Sequence, residues 1–296
     1  MLLLFFAAAP GIRAQKMAED YFFEANYKKD VLENESAALI DYLYLVEHYP
    51  DSKYCIEAFY EMGGIYDSMK QNQLAINAYR GTVFNKYRGQ LNKDTTFSEF
   101  DVKPIAIERL AGLYEKIGVY DSALYFRYLY DTAIRVFYSC GTGLELRFTN
   151  NTVTRANLHL KANQVKEAEK ILLSAFTWRN YDDRYIEEYD GYSGVRATLQ
   201  ELFTKHKNAD TLKARIETAV NNYYFDTTYL LIDGMIDTSV YCVLNFLDTK
   251  VGFLYYCNMN VSGSFVIDVR NPGLPDRKKI ITILKRSELY HMIQKL

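Results

Sequence analysis

A chain that contains FYEMGGIYDSMKQNQLAINAYRGTV at Phe59–Val83 has few ways to fold around that stretch. Phe59, Met62, Gly63 and Tyr66 recur at helical spacing, the polar turn Gln71-Asn72-Gln73 interrupts them, and Ala75, Tyr79 and Val83 resume the period. Two short antiparallel helices are predicted. Gly63 and Ala75 fall where the two helices approach most closely, with bulky residues around them to fill the gaps. Apolar positions lie on more than one side of the pair, so it cannot bury itself alone and needs neighbours.

The chain supplies them. MAEDYFFEANYKKDVLEN and ESAALIDYLYLVEHYPDS read as two preceding helices, the second closed at Tyr49 by Pro50, with Asp51 or Ser52 available to cap the next helix. Ala38, Tyr42 and Leu45 take the relative places of Ala75, Tyr79 and Thr82, with 37 residues between Ala38 and Ala75. A third copy places Leu110, Ala111, Tyr114 and Ala123 where Met62, Gly63, Tyr66 and Ala75 stand, and the nine-residue step from Tyr to Ala is kept. A fourth, weaker copy aligns Ala156, His159, Ala168 and Leu172, with His159 read as a packed core residue rather than a ligand. The first copy departs from the pattern, because Tyr27 and Ala38 are eleven residues apart.

Phe59, Met62-Gly63, Tyr66, Ala75 and Tyr79 resemble the tetratricopeptide repeat, which carries an aromatic, a Leu-Gly pair, a Tyr, an Ala and an aromatic at these intervals. The HYPDS ending of the preceding copy is similar to repeats of periplasmic proteins, such as the outer-membrane-assembly lipoprotein of the Bam machine and the coordinator of the Tol-Pal system. The resemblance implies a mainly α architecture, a solenoid of helical hairpins that binds protein partners in a concave groove lined by the first helix of each pair. It places Glu57, Tyr60 and Asp67 of one copy, Glu108 and Glu115 of the next, and Asn157 of the fourth in that groove. Such a surface is acidic with an aromatic platform and suits a segment carrying Lys or Arg. The alternative is that these residues form only the solvated faces of amphipathic helices. Segments 85–103 and 140–152 are expected to be inserted loops, and 179–194 an exposed acidic connector without the ligand order of a calcium loop.

At the N-terminus, Leu2–Ala9 is apolar, and Ile12 and Ala14 suit a cut after Ala14. Residues 1–14 therefore read as a signal peptide that lacks a positive n-region, the alternative being a buried N-terminal helix. The expectation is an exported, periplasmic protein that serves an outer-membrane or envelope complex. No later segment is apolar for long enough to form a transmembrane helix. Net charge is -2, which gives no support to bulk nucleic-acid binding. The 27 Tyr and only 5 Pro suit helices packed through aromatic side chains.

From Asp226 the character changes. YLLIDG, SVYCVLNFL, VGFLYYCNM and SFVIDV predict an antiparallel sheet of about four strands, followed by a strand at Lys279–Leu284 and a helix capped by Ser287. The expected organisation is thus a solenoid over residues 15–224 and a small C-terminal α+β domain over 225–296. A hairpin with Thr249 and Lys250 at its tip would set Cys242 opposite Cys257, either as a disulfide or as two buried free thiols.

No chemistry is written plainly in this chain. The four His share no zinc spacing, Gly141–Gly143 lacks the Lys of a phosphate loop, and no nucleophile elbow is present, so no catalytic residue, metal or cofactor is expected. The reading is a non-enzymatic interaction scaffold. The alternative is an enzymatic or small-ligand C-terminal module around Asp233 and Asp237, with the repeats as a docking arm.

Overall fold

The structure, a computed structural model, describes residues 17–85, 102–133, 141–178, 193–232, 235–257 and 276–296. The proposed signal segment, most of the first insertion, most of the acidic connector, SFVIDV and Asp233 lie outside them. The chain divides into two compact units, Met1–Arg135 and Val136–Leu296.

The first unit is three antiparallel hairpins: α1 (Ala18–Asp30) with α2 (Glu35–His48), α3 (Tyr54–Ser68) with α4 (Asn72–Phe84), and α5 (Val102–Lys116) with α6 (Tyr120–Ala133). Pro104 lies in the first turn of α5, where its missing N–H has no intrahelical partner to lose. Each hairpin buries one apolar face internally and another against the next. Phe22, Tyr42, Leu45 and Met62 share one cluster, and Ile76, Tyr79, Leu110 and Phe126 the next. Within the central hairpin the close approach is reciprocal. A Cβ on Gly63 would stand 2.6 Å from the Tyr79 ring, and a Cβ on Gly81 2.6 Å from the Phe59 ring. Gly63 thus packs against Tyr79 rather than Ala75, which belongs to the core shared with the third hairpin.

The conserved step from Tyr to Ala has a backbone cause. At the end of α3 the N–H of Gln71 bonds the carbonyl of Tyr66 at 2.8 Å and that of Lys70 bonds Asp67 at 2.9 Å, a Schellman turn with Lys70 left-handed at φ 59°. Val119 to Tyr114 and Gly118 to Glu115 repeat it in the third hairpin, with Gly118 at φ 77°. The first copy closes differently, with the N–H of Asn34 reaching back to the carbonyl of Lys28 and Glu33 left-handed at φ 50°, which absorbs its two extra residues.

In the second unit, α7 (Gly141–Lys161) and α8 (Val165–Ser174) form the fourth hairpin. Its turn is the same Schellman motif, with Gln164 bonding the carbonyl of His159 at 2.7 Å and Asn163 at φ 59°. The expected loop at 140–152 is a correction: from Gly141 it is the first half of the 21-residue α7, and Thr149, Asn151 and Thr152 are buried. Tertiary burial here overrides the Gly and Asn turn signals. A short 3-10 turn (Ala175–Trp178) follows, then α9 (Ser193–His206) and α10 (Ala209–Asn221), the latter capped by Asn208.

β1 (Tyr224–Ile232), β2 (Met235–Phe246) and β3 (Thr249–Cys257) make an antiparallel sheet in that order, three strands among the described residues. The chain ends in α11 (Arg277–Lys285) and α12 (Glu288–Gln294). The strand expected at Lys279–Leu284 is therefore helical. Ile280 and Leu284, one helical turn apart, are both buried, and Asp276 caps the helix by accepting from the N–H of Lys278 at 3.0 Å. Ser287 caps α12 as expected.

One core joins these elements. Leu172 and Phe176, Leu199 and Phe203, and Ile216 pack with Leu244, Phe246 and Val251 of the sheet and with Leu284 and Ile293 of the last two helices. Helices α8–α10, read from the sequence as the end of the solenoid, are thus the helical layer that a small sheet requires. The tail is further tied by Glu217 of α10, which accepts from Lys285 at 2.8 Å and from the Tyr290 hydroxyl. The bond from Lys285 holds the Glu217 carboxyl below its ordinary value, and Glu217 in turn raises the Lys285 ammonium above its own. A depressed carboxylate stabilises above its unfolded pKa and stops doing so as pH falls through the folded one. A raised lysine stabilises below its unfolded pKa and stops as pH rises through the folded one. Glu217→Gln is expected to cost at most about 1 kcal/mol, screened as it is by solvent, between about pH 6 and 8, with the difference closing toward about pH 3. Denaturant titrations of both proteins across pH check it, and a difference that persists in acid would remove the tether.

The disulfide expectation is corrected by the register. Phe246 pairs with Thr249, so the tip is Leu247-Asp248, both at positive φ (50° and 60°) as in a type I′ turn. Cys242 then lies opposite Phe253, while Cys257 lies opposite Ser239 beyond an irregularity at Val240/Tyr241. Cys242 is a buried free thiol, and burial pushes its pKa up to about 12. Non-reducing peptide mapping is expected to yield no peptide linking Cys242 to Cys257.

Candidate functional site

Tyr60, Glu61, Gly64 and Asp67 project from one side of α3 because its opposite side, with Cys55, Ala58, Met62 and Ile65, is committed to the core. The matching side of α5 carries Ile105, Glu108, Arg109, Gly112 and Lys116. Two hollows result. One of about 340 Å³ is lined by Tyr60, Glu61, Gly64, Asp67, Ser68, Tyr79 and Arg109. The other, of about 460 Å³, is lined by Asp67, Glu108, Arg109, Gly112 and Lys116 together with Ile105 and Leu113. Asp67 and Arg109 belong to both, so the two form one groove across α3 and α5.

Three of the residues assigned to a groove by the repeat resemblance line it: Tyr60, Asp67 and Glu108. Glu57 and Glu115 belong to the same helices but are not among its lining residues, and exposed Asn157 is on α7 of the second unit. The sequence reading missed Glu61, Arg109 and Lys116, together with the two glycines. Arg109 and Lys116 follow Glu108 on the same helix, so their spacing in the sequence carries the signal.

The groove is less acidic than expected, because its acids are already paired. Lys29 of α1 reaches Glu61 at 2.5 Å, Lys116 lies 3.7 Å from Asp67, and Arg127 of α6 lies 3.4 Å from Glu108. Burial alone would lower the Lys29 pKa, but the bond to Glu61 holds it above its ordinary value. Tyr60 packs beside Tyr79 with ring centroids 5.9 Å apart. Tyr79 is 3% exposed, and burial pushes its pKa up to about 12. The Tyr79 ring is therefore neutral and held in place.

The second unit holds a separate hollow of about 1070 Å³ between α10 and the β2–β3 tip, where Arg215, Asn222, Asp248 and Lys250 are among the lining residues. Asp237, half of the alternative carboxylate pair, is in β2 opposite Leu230. Among the described residues no group of three or more His, Cys, Asp or Glu is placed to hold a metal ion. Among them also, no helix is long and apolar enough to cross a membrane.

The chain matches no protein-family model and no curated protein. Among solved structures it is similar to a kinesin light chain of Podosopora anserina with nearly identical TPR-like repeats, at 14% identity over 64% of this chain and 88% of that one, TM-score 0.38. A variant of the same protein gives 14% identity over 63% and 84%, TM-score 0.37. BtubC from P. vanneervenii is 18% identical over 70% of this chain and 73% of that one, TM-score 0.36. What establishes the TPR-like character of this chain is its own hairpins: the shared Schellman turn, the glycine-to-ring contacts and the hairpin-on-hairpin cores.

Proposed function

We propose that this protein is a non-enzymatic interaction scaffold that holds a segment of a partner protein in the groove across α3 and α5. The observation that carries this reading is the groove floor. Gly64 and Gly112 are helix-interior glycines, each exposed, and a Cβ on Gly64 would meet nothing closer than the Tyr79 hydroxyl at 3.9 Å, while one on Gly112 would meet nothing within 4 Å. Glycine at such a site costs about 1 kcal/mol relative to alanine, and no internal packing explains either one. Bare backbone lets another chain approach closely.

The apolar run Leu2–Ala9 and the HYPDS ending support a setting in a bacterial cell envelope after export. Mass spectrometry of the mature chain from its native host is expected to find Gln15 at the N-terminus; an intact Met1 would remove the export reading.

A photo-crosslinking residue placed at position 64 or 112 tests the groove. Both positions are expected to trap the same partner, and position 125, exposed on α6, is expected to trap none. Equal adducts at 125, or none at 64 and 112, would exclude the groove as the binding surface.

A further inference from the structure

The pairing pattern in the groove identifies the partner's chemistry, given that the groove is the binding surface. Each acid that lines it has a cation of this chain at hand: Lys29 for Glu61, Lys116 for Asp67, Arg127 for Glu108. Glu57 and Glu115, on the same two helices, are engaged as well. Arg109 is different. It is exposed, lines both hollows, and makes no ion pair among the described residues. It is close enough to act electrostatically on Tyr79.

Tyr79 supplies a second, independent observation. Its ring is held by the clusters around Gly63 and Ile76 and is 3% exposed, yet it lines the hollow and stands near the bare backbone of Gly64. Its hydroxyl makes no hydrogen bond among the described residues. An O–H that reaches the hollow and donates to nothing inside the protein is available to an acceptor from outside. Among the described residues of this hollow, a guanidinium and a phenolic donor near enough to interact are thus available together beside Gly64, and a carboxylate is a group that meets both.

We infer that the groove recognises an acidic peptide segment: one partner carboxylate accepts from Arg109 and from the Tyr79 hydroxyl, and the adjoining partner backbone lies over Gly64 and Gly112. This reverses the preference for Lys or Arg drawn from the acidic residue count. A lysine brought to the same place would face Arg109 and would have to displace an existing internal cation to reach a carboxylate.

The experiment uses the full chain, immobilised, and two pools of fluorescein-labelled nonapeptides with degenerate flanks, one with Glu at the centre and one with Lys. Retention of the Glu pool is expected to exceed that of the Lys pool by about ten-fold, the size of one charge-assisted hydrogen bond gained. Arg109→Gln is expected to erase the difference. Gly64→Leu, which has open space for its side chain, is expected to abolish retention while leaving the thermal transition intact; Gly112→Leu serves if that variant fails to fold. A Lys preference that Gly64→Leu abolishes would overturn the carboxylate assignment and leave the groove standing. Retention that Gly64→Leu and Gly112→Leu both leave unchanged, or no retention of either pool, would overturn both.

Discussion

Gly63→Ala is expected to destabilise the first unit by about 1–3 kcal/mol, while Gly64→Ala, the same substitution one residue along the same helix, stabilises it by about 0.5–1 kcal/mol. At position 63 the new methyl would stand 2.6 Å from Cδ1 and Cε1 of Tyr79. That ring cannot swing aside, because it is 3% exposed and packed with Ile76 and Leu110. The helices must separate instead, and a well-packed core resists overpacking. At position 64 the nearest atom is 3.9 Å away, an ordinary contact, so only the gain in helix propensity remains. Urea titrations followed by helical circular dichroism measure both. Effects of equal sign would show that the Gly63–Tyr79 approach does not set the helix spacing. The gain at Gly64 should come with weaker binding, because the alanine raises the groove floor.

Phe246→Ala is expected to cost about 3–5 kcal/mol, and the loss should spread to helices far from it in sequence. Phe246 is 1% exposed and meets the Phe203 ring edge-on with centroids 6.4 Å apart. The same cluster contains Leu199 and Phe203 of α9, Ile216 of α10 and Leu284 of α11. Removing the ring leaves a cavity in a layer shared by sheet and helices of that cluster, so both should loosen together. Hydrogen exchange of the variant is expected to show α9 and α10 losing protection in step with β2 and β3. Protected α9 and α10 beside an exchanging sheet would support a boundary at 224/225 instead.

These two variants separate what could be read locally from what could not. Six helices of the first unit were legible because their signals are local: apolar spacing, a Pro50 stop, a nine-residue step from Tyr to Ala. The same logic recovered the Ser287 cap. It failed where burial decides. IITIL at Ile280–Leu284 has the branched residues of a strand, yet Asp276 caps it and the core takes Ile280 and Leu284 on one helical face. Gly141 and Asn151 read as a loop, yet α7 runs through them. The hairpin register went astray by the choice of tip: Leu247-Asp248 lacks the usual Asn-Gly, and shifting the tip moves every cross-strand partner, Cys242 included.

The groove shows the same division. The repeat resemblance assigned Tyr60, Asp67 and Glu108 to a groove in advance, and they line the one across α3 and α5. Whether their charges are free could not, because Lys29, Lys116 and Arg127 arrive from other helices or from a later turn, at distances that chain order does not encode. What the sequence by itself determined is the repeated hairpin, since each turn and each small-to-ring contact is written within some forty residues. Only the tertiary structure decided that, among the described residues, Arg109 finds no ion pair and the Tyr79 hydroxyl no hydrogen bond, since that depends on which neighbours every other charge finds.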